Sequence, residues 1–350
     1  MITIKFKKNF LPLFFVLLCA FCIFKMPYAV TKGITEGLKI CFYTVLPSLF
    51  PFTVLSSYIS RTDALLPVYR FLSPVTKYVF RQPPAAAPVI IMSLIGGFPI
   101  GAKMTAELYC DGRLTQNQAQ RLNMFCMNAG PAFTVTAVGV TMLSSRRAGA
   151  VIFASLCASS LIIGFLTSFL DDKSGFTEYK SRGVMNPLSA LSASVTDAVN
   201  TMLSICAWII MFSAVTGCFE ASCADSGLLL AVCSLTEVTD GCRRACGVLP
   251  LPAITAIIGF GGFCVHCQVC QFIARTGIKY RLFFAFRAIN AAVAALISHI
   301  LFTLFPVEVS TLSAPAFDTA PFSASLPAFL ALAAMCVIMI FDVDTKKKLW

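Results

Sequence analysis

Uncharged runs of bilayer-crossing length, about 20 apolar residues each, follow one another along this chain and leave it few ways to fold. "AGAVIFASLCASSLIIGFLTSFL" at 148–170 is one such run, and "FFAFRAINAAVAALISHILFTLF" at 283–305 is another, broken only by Arg287 and His299. Of the 350 residues, 58% are hydrophobic and 12% charged, with a mean hydropathy of +0.83. A soluble domain carries about 25% charged residues, so this chain lacks the polar surface to face water all round. It reads as an all-α polytopic membrane protein, in contact with membrane lipid.

Ten spans are predicted, at 10–30, 38–60, 86–102, 123–143, 148–170, 196–218, 226–241, 250–273, 283–305 and 325–341. An even number places both termini on one side. Basic clusters at Lys5/Lys7/Lys8, Arg61–Arg81, Arg146/Arg147, Arg275–Arg287 and Lys346–Lys348 make that side the cytoplasm of a bacterial cell membrane. The short, polar-marked spans 86–102 and 226–241 leave room for a re-entrant segment. "KFKKNFLPLFFVLLCAFCIF" has the shape of a signal peptide but no small-residue cleavage site after it, and reads as a retained first span.

The net charge of +11 does not point to nucleic acid, because the basic residues sit in short clusters between apolar runs. The 16 cysteines fall mostly within those runs, where a cysteine is a small hydrophobe rather than half of a disulfide.

"SLIGGFPIGAK" (Ser93–Lys103) is the oddest stretch, with glycines and a proline placed directly after an apolar run. An unpaired backbone group in hydrocarbon costs several kcal/mol, so irregular backbone survives there only inside protein or beside a wet cavity. Pro99 removes a donor and clashes with the preceding turn. The expected result is a broken helix whose second half starts around Ile100–Lys103, its positive dipole end reinforced by Lys103 and suited to an anionic or strongly polar group.

The motif recurs. "GGFPIGAKMTAELYCDG" (Gly96–Gly112) aligns without gaps to "GGFCVHCQVCQFIARTG" (Gly261–Gly277), matching Gly96, Gly97, Phe98 and Gly112 to Gly261, Gly262, Phe263 and Gly277. Upstream, "VLPSLFPFTVLS" (45–56) lies over "ICAWIIMFSAVT" (205–216). The chain therefore divides into an N-terminal helix (1–32), a first repeat (36–170), a polar linker (171–195), a second repeat (196–305) and a C-terminal loop, span and basic tail (306–350). Five predicted crossings separate the two motifs. An odd number gives inverted-topology repeats with broken or re-entrant helices, which hold a site near the midplane.

"GLKICFYTVLPSLFPFTVLSSYI", "GGFPIGAKMTAELYCDGRLT", "AVNTMLSICAWIIMFSAV", "LTEVTDGC" and "GFGGFCVHCQVCQFI" together resemble the YlbJ-like sporulation integral membrane proteins. The resemblance covers roughly residues 10–305. It implies two Gate, or nucleoside-recognition, domains and a role in endospore formation, and it favours Glu237 as a functional residue. Phe98 stands where the family motif has a tyrosine.

Candidate substrate-binding positions are Gly96, Gly97, Pro99, Gly101, Lys103, Asn128, Glu237, Gly261, Gly262, His266 and Gln268. Lys103 is either a site residue or a lysine reaching from a helix end to the headgroups. Glu237 and Asp240 would share one helix face and mark an ion or proton path, or sit solvated in an interfacial turn. Gln268 is the repeat partner of Lys103, and His266 is a cavity group by the same symmetry. Asn128, before Gly130–Pro131, marks a second irregularity, and Asn200 is a polar residue beside a span. Cys264, Cys267 and Cys270 line one helix face, but His266 points elsewhere; packing outweighs a metal site, and no cofactor is indicated. "GRLTQNQAQ" ends one helix at Gly112 and starts the next with Thr115 as N-cap.

No hydrolase or kinase pattern is present, and an enzyme is not expected. The reading is a secondary transporter or permease for a small polar solute, with no protein partner indicated. The alternative is a non-transporting membrane factor in spore envelope or cortex assembly.

Overall fold

The computed structural model describes residues 20–62 except Cys22, 66–170, 186–223 and 225–306. Among these residues the structure is helices and turns, with no strand. Five helical stretches are long and apolar enough to cross a membrane: Pro27–Arg61, Arg146–Leu170, Pro187–Ser222, Leu251–Ile273 and Tyr280–Leu304. Three shorter apolar helices, Pro84–Ile95, Ala132–Met142 and Ser226–Thr236, accompany them. Large apolar side chains are exposed on the spanning helices, among them Leu161, Ile162, Phe165 and Leu166, and Leu296 and Ile300. Such faces are tolerated in lipid and not in water. This is a multi-pass membrane protein.

Helix α1 (Pro27–Ile40) runs through a wide π turn at Cys41–Val45 directly into α2 (Leu46–Arg61). The predicted connection between the first two spans is therefore helical from Pro27 onward. Pro27 sits in the first turn, where its missing N–H costs nothing. Further on, α3 is Leu66–Tyr78, α4 is Ala87–Ile95, α5 is Phe98–Cys110, α6 is Gln116–Phe125 and α7 is Arg146–Thr167. Between α6 and α7 lies a π-helical segment, Ala132–Met142. Helix α8 (Pro187–Ser222) takes up the last part of the expected 171–195 linker, with Asn186 capping its start. The remaining helices are α9 (Ser226–Thr236), α10 (Val238–Ala245), α11 (Leu251–Phe260), α12 (Gly262–Ile273) and α13 (Tyr280–Leu304).

The two longest helical stretches pack antiparallel. Gly33 of α1 lies against the Ser213 carbonyl of α8, where a Cβ would come to 2.3 Å; Gly217 lies against the Ala29 carbonyl. Two small-x-x-x-small pairs, Gly33/Gly37 and Ser213/Gly217, thus let the backbones approach, the way helices associate without a hydrophobic drive between them. At the other end Ser57 of α2 donates to Asp197 of α8 at 2.6 Å. A second group of helices forms the main apolar core, with α11 against α13, α13 against α7, and α7 against the π-helical segment.

Local caps agree with the sequence. Thr115 caps α6 in a reciprocal capping box with Gln118. Asp225 caps α9 through Gly227 and Leu228. Five of the eight middle predicted spans lie on helical stretches long and apolar enough to cross a membrane, whereas 86–102, 123–143 and 226–241 are interrupted and carry only the shorter apolar helices Pro84–Ile95, Ala132–Met142 and Ser226–Thr236. The first span up to residue 19, the loop and last span within 307–350, both termini and their basic clusters lie outside the described residues, as does most of the 171–195 linker.

Candidate functional site

Four helix interruptions meet in the interior. The first is at Gly96–Gly97, between α4 and α5. Gly97 has φ +94°, a conformation that L side chains rarely adopt. Helix α5 resumes at Phe98, so its N-terminus lies two residues before the predicted Ile100–Lys103. Pro99 then occupies the first turn, where proline is accommodated; the two glycines make the break and Pro99 begins the next helix. The second interruption, Cys126–Gly130, separates α6 from the π-helical segment. The third is the single extended residue Glu237 (φ −138°, ψ 119°), which ends α9 and caps α10. The fourth is Gly261, in the left-handed region at φ +87°, dividing α11 from α12.

The breaks touch. A Cβ on Gly130 would come to 2.7 Å of the Ile95 carbonyl and 3.1 Å of the Gly97 nitrogen, and one on Gly101 to 1.9 Å of the Cys126 carbonyl. Gly262 packs on the Thr236 carbonyl and the Val238 nitrogen, and the Phe98 ring lies against Gly261. Arg287 of α13, 2% exposed, ties them together. Its guanidinium donates to the Met127 and Gly259 carbonyls and, at 3.3 Å, to that of Phe260, while the Phe98 ring sits 5.4 Å from it. Carbonyls freed where α6 and α11 end are thereby satisfied, which a helix end at membrane depth requires.

Between the breaks lies a small, partly open pocket. Its polar lining is Thr44, Ser48, Glu237, Thr239 and Gln268; Val45, Leu49, Phe133, Ile205, Ile209 and Val265 supply apolar walls. Gly97, Phe98, Ala129 and Gly130 also line it, and among the described residues no protein acceptor takes their backbone N–H groups. A buried donor left unpaired costs about 1–3 kcal/mol, so these groups favour an occupant rich in acceptors. Glu237 is 2% exposed, and its Oε2 accepts the Asp240 N–H at 2.7 Å.

The predicted positions divide. Gly97, Pro99, Glu237 and Gln268 line the pocket. Gly96, Gly101, Gly261 and Gly262 shape the breaks around it. Asn128 donates to Ser160 at 2.9 Å and to the Phe125 carbonyl, leaving its buried Oδ1 without a partner. His266 is turned away into an aromatic cluster, stacked on Phe284, with Nδ1 2.6 Å from the Gly262 carbonyl. Lys103 lies deeper along α5, off the pocket, where its Nζ meets Asp197 Oδ2 at 2.5 Å and Thr201 Oγ1 at 3.1 Å. Asp240 does not share a helix face with Glu237; it ion-pairs with Arg243 and Arg244. Cys264 is buried and Cys267 and Cys270 are partly exposed, and among the described residues no group of three metal-ligating side chains forms.

Two residues escaped the sequence reading. The basic cluster Arg275–Arg287 puts Arg287 on the cytoplasmic side, although its apolar neighbours Phe284, Ala285, Phe286 and Ala288 mark it as a lone charge within a span. Asp197 went unnoticed beside Asn200, which is exposed; an unpaired acid in an apolar run asks for a cation elsewhere, and Lys103 is that cation.

No family model and no solved structure matches the chain; the Gate-domain part of the resemblance has no family model behind it. Among curated proteins the chain is similar to the sporulation integral membrane protein YlbJ of Bacillus subtilis (strain 168). The two are 24% identical over 345 residues, an alignment that takes in 83% of this chain and 82% of that protein.

Proposed function

We propose that this chain, a homologue of a sporulation integral membrane protein along most of its length, is a secondary transporter or permease for a small polar solute. The observation that carries the reading is the convergence of four helix breaks on one pocket containing a buried carboxylate and unpaired backbone donors. Discontinuous helices at membrane depth place such groups around solutes in transporters. A purely structural membrane helix bundle has no need of them.

The order of elements supports an internal repeat. A long helix (α1–α2, then α8), a short one (α3, then α9) and an interrupted pair (α4–α5, then α11–α12) recur in sequence. Positive-φ glycines fall at the aligned positions Gly97 and Gly262, and Gly112 and Gly277. In this reading the halves are inverted relative to each other and rock about the pocket to expose it to either side. The work of the protein belongs to sporulation, in keeping with the name of the B. subtilis relative.

Screening the purified full-length protein against a metabolite library for ligand-induced thermal stabilisation tests the reading, because a binder of the native state must raise its stability. A stabilising solute should be taken up by proteoliposomes, and Val265→Trp, which fills the pocket, should abolish both effects. The competing role, a non-transporting factor in spore envelope or cortex assembly, predicts no stabilising solute and normal spore maturation in cells carrying Val265→Trp.

A further inference from the structure

We propose that Glu237 is a proton-carrying site: its carboxylate takes one proton from water on one side to become a neutral carboxylic acid, and returns to a carboxylate by giving that proton to water on the other side, together with release of the solute. The inference rests on the pocket being a transport site and adds the coupling ion. A carboxylate buried to 2% exposure is costly unless a partner neutralises it. Among the described residues no cation faces Glu237. The titratable groups that do face it are Asp240 and the thiols of Cys41, Cys242 and Cys264. The cations on neighbouring elements are engaged elsewhere: Arg243 and Arg244 with Asp240, Arg287 with backbone carbonyls, and Lys103 with Asp197. His266 on α12 turns its Nδ1 to the Gly262 carbonyl.

The neutralising cation therefore arrives from outside the protein. A hard metal cation such as Ca²⁺ or Mg²⁺ takes about six or more oxygen ligands, several of them usually carboxylates. The lining offers one anionic group, the Glu237 carboxylate, beside the neutral side-chain oxygens of Thr44, Ser48, Thr239 and Gln268. A proton needs one lone pair, and of the about four on the Glu237 carboxylate those taken by the Asp240 N–H and by Thr239 leave room for it. The same pocket is lined by the N–H groups of Gly97, Phe98, Ala129 and Gly130, which no protein acceptor takes among the described residues and which attract a solute's acceptor atoms. An ionised Glu237 would repel those atoms within the cavity, whereas a protonated one does not, so proton and solute occupy the pocket together.

Infrared difference spectroscopy of the full-length protein in liposomes, stepped in pH, tests this without any known solute. At neutral pH exposed carboxylates are ionised. The wild-type minus Glu237→Gln spectrum should then contain one protonated-carboxyl C=O stretch that fades as pH rises, and Glu237→Asp should shift the band rather than remove it. Should Glu237→Gln fail to fold, the shift with Glu237→Asp makes the assignment. No carboxyl band at neutral pH in either comparison would overturn the proposal. A band without any transported solute would keep the proton site and defeat the transport reading. A solute carried equally by wild type and Glu237→Gln, with no acidification of pyranine-loaded vesicles, would keep transport and defeat the coupling.

Discussion

Arg287 holds the break region by giving one guanidinium to three carbonyls on two helix ends. Removing the guanidinium leaves these buried carbonyls unpaired, which costs about 1–3 kcal/mol for each group left unsatisfied. Arg287→Met should therefore lower thermal stability in detergent by an amount of that order. Arg287→Lys should recover only part of it, since an ammonium lacks the planar fork. The Lys103–Asp197 pair is a separate case because its charges are mutually matched. Lys103→Met and Asp197→Asn should each destabilise the protein, and the double variant should be closer to wild type than the sum of the two. Additive losses in that thermal cycle would mean that the pair is not coupled. Both residues were hidden in the sequence for one reason: a lone charge in an apolar run shows that a partner exists but not which distant residue supplies it.

At the scale of elements, glycines decide where helices stop and how closely the broken ends approach. Gly101 and Gly130 have no room for a methyl group, with backbone carbonyls 1.9 and 2.7 Å from where Cβ would sit, whereas Gly112 faces open space. Gly101→Ala and Gly130→Ala should sharply reduce the yield of folded protein in membranes. Gly112→Ala, which meets only the strain of φ +69°, should lose roughly 1–2 kcal/mol. Equal yields of all three variants, measured by size-exclusion profiles after extraction, would contradict the packing described here. The break at Gly96–Gly97 was legible because two glycines before a proline cannot continue a buried helix, and the proline's first-turn preference explains why α5 starts earlier than expected. The break at Glu237 was not legible. Its spacing to Asp240 reads equally as two acids on a helix face, and glutamate is an uncommon cap, so only the packing of Gly262 against Thr236 and Val238 separates the two readings.

At the scale of the whole molecule, hydropathy located the five helical stretches long and apolar enough to cross lipid, since crossing demands length and apolarity that can be read directly, but it read three shorter apolar helices as full spans. The pocket was only partly legible, because it is built from approaches between segments far apart in the chain: Ile95 with Gly130, and Phe98 with Gly261 and Arg287. Native cysteines offer a check on this arrangement. In variants keeping one cysteine at a time, a water-soluble maleimide should label exposed Cys110 and leave the buried Cys126 and Cys264 unmodified until the protein is denatured. The antiparallel pair formed by Pro27–Arg61 and Pro187–Ser222 carries a last consequence. At about 1.5 Å per residue each member spans roughly 50 Å, against a hydrocarbon layer of about 30 Å. The pair must lean or stand proud of the lipid, so hydrophobic mismatch governs its tilt. Acyl-chain length thereby becomes a control on this protein, and lipids with longer tails should bring the pair upright.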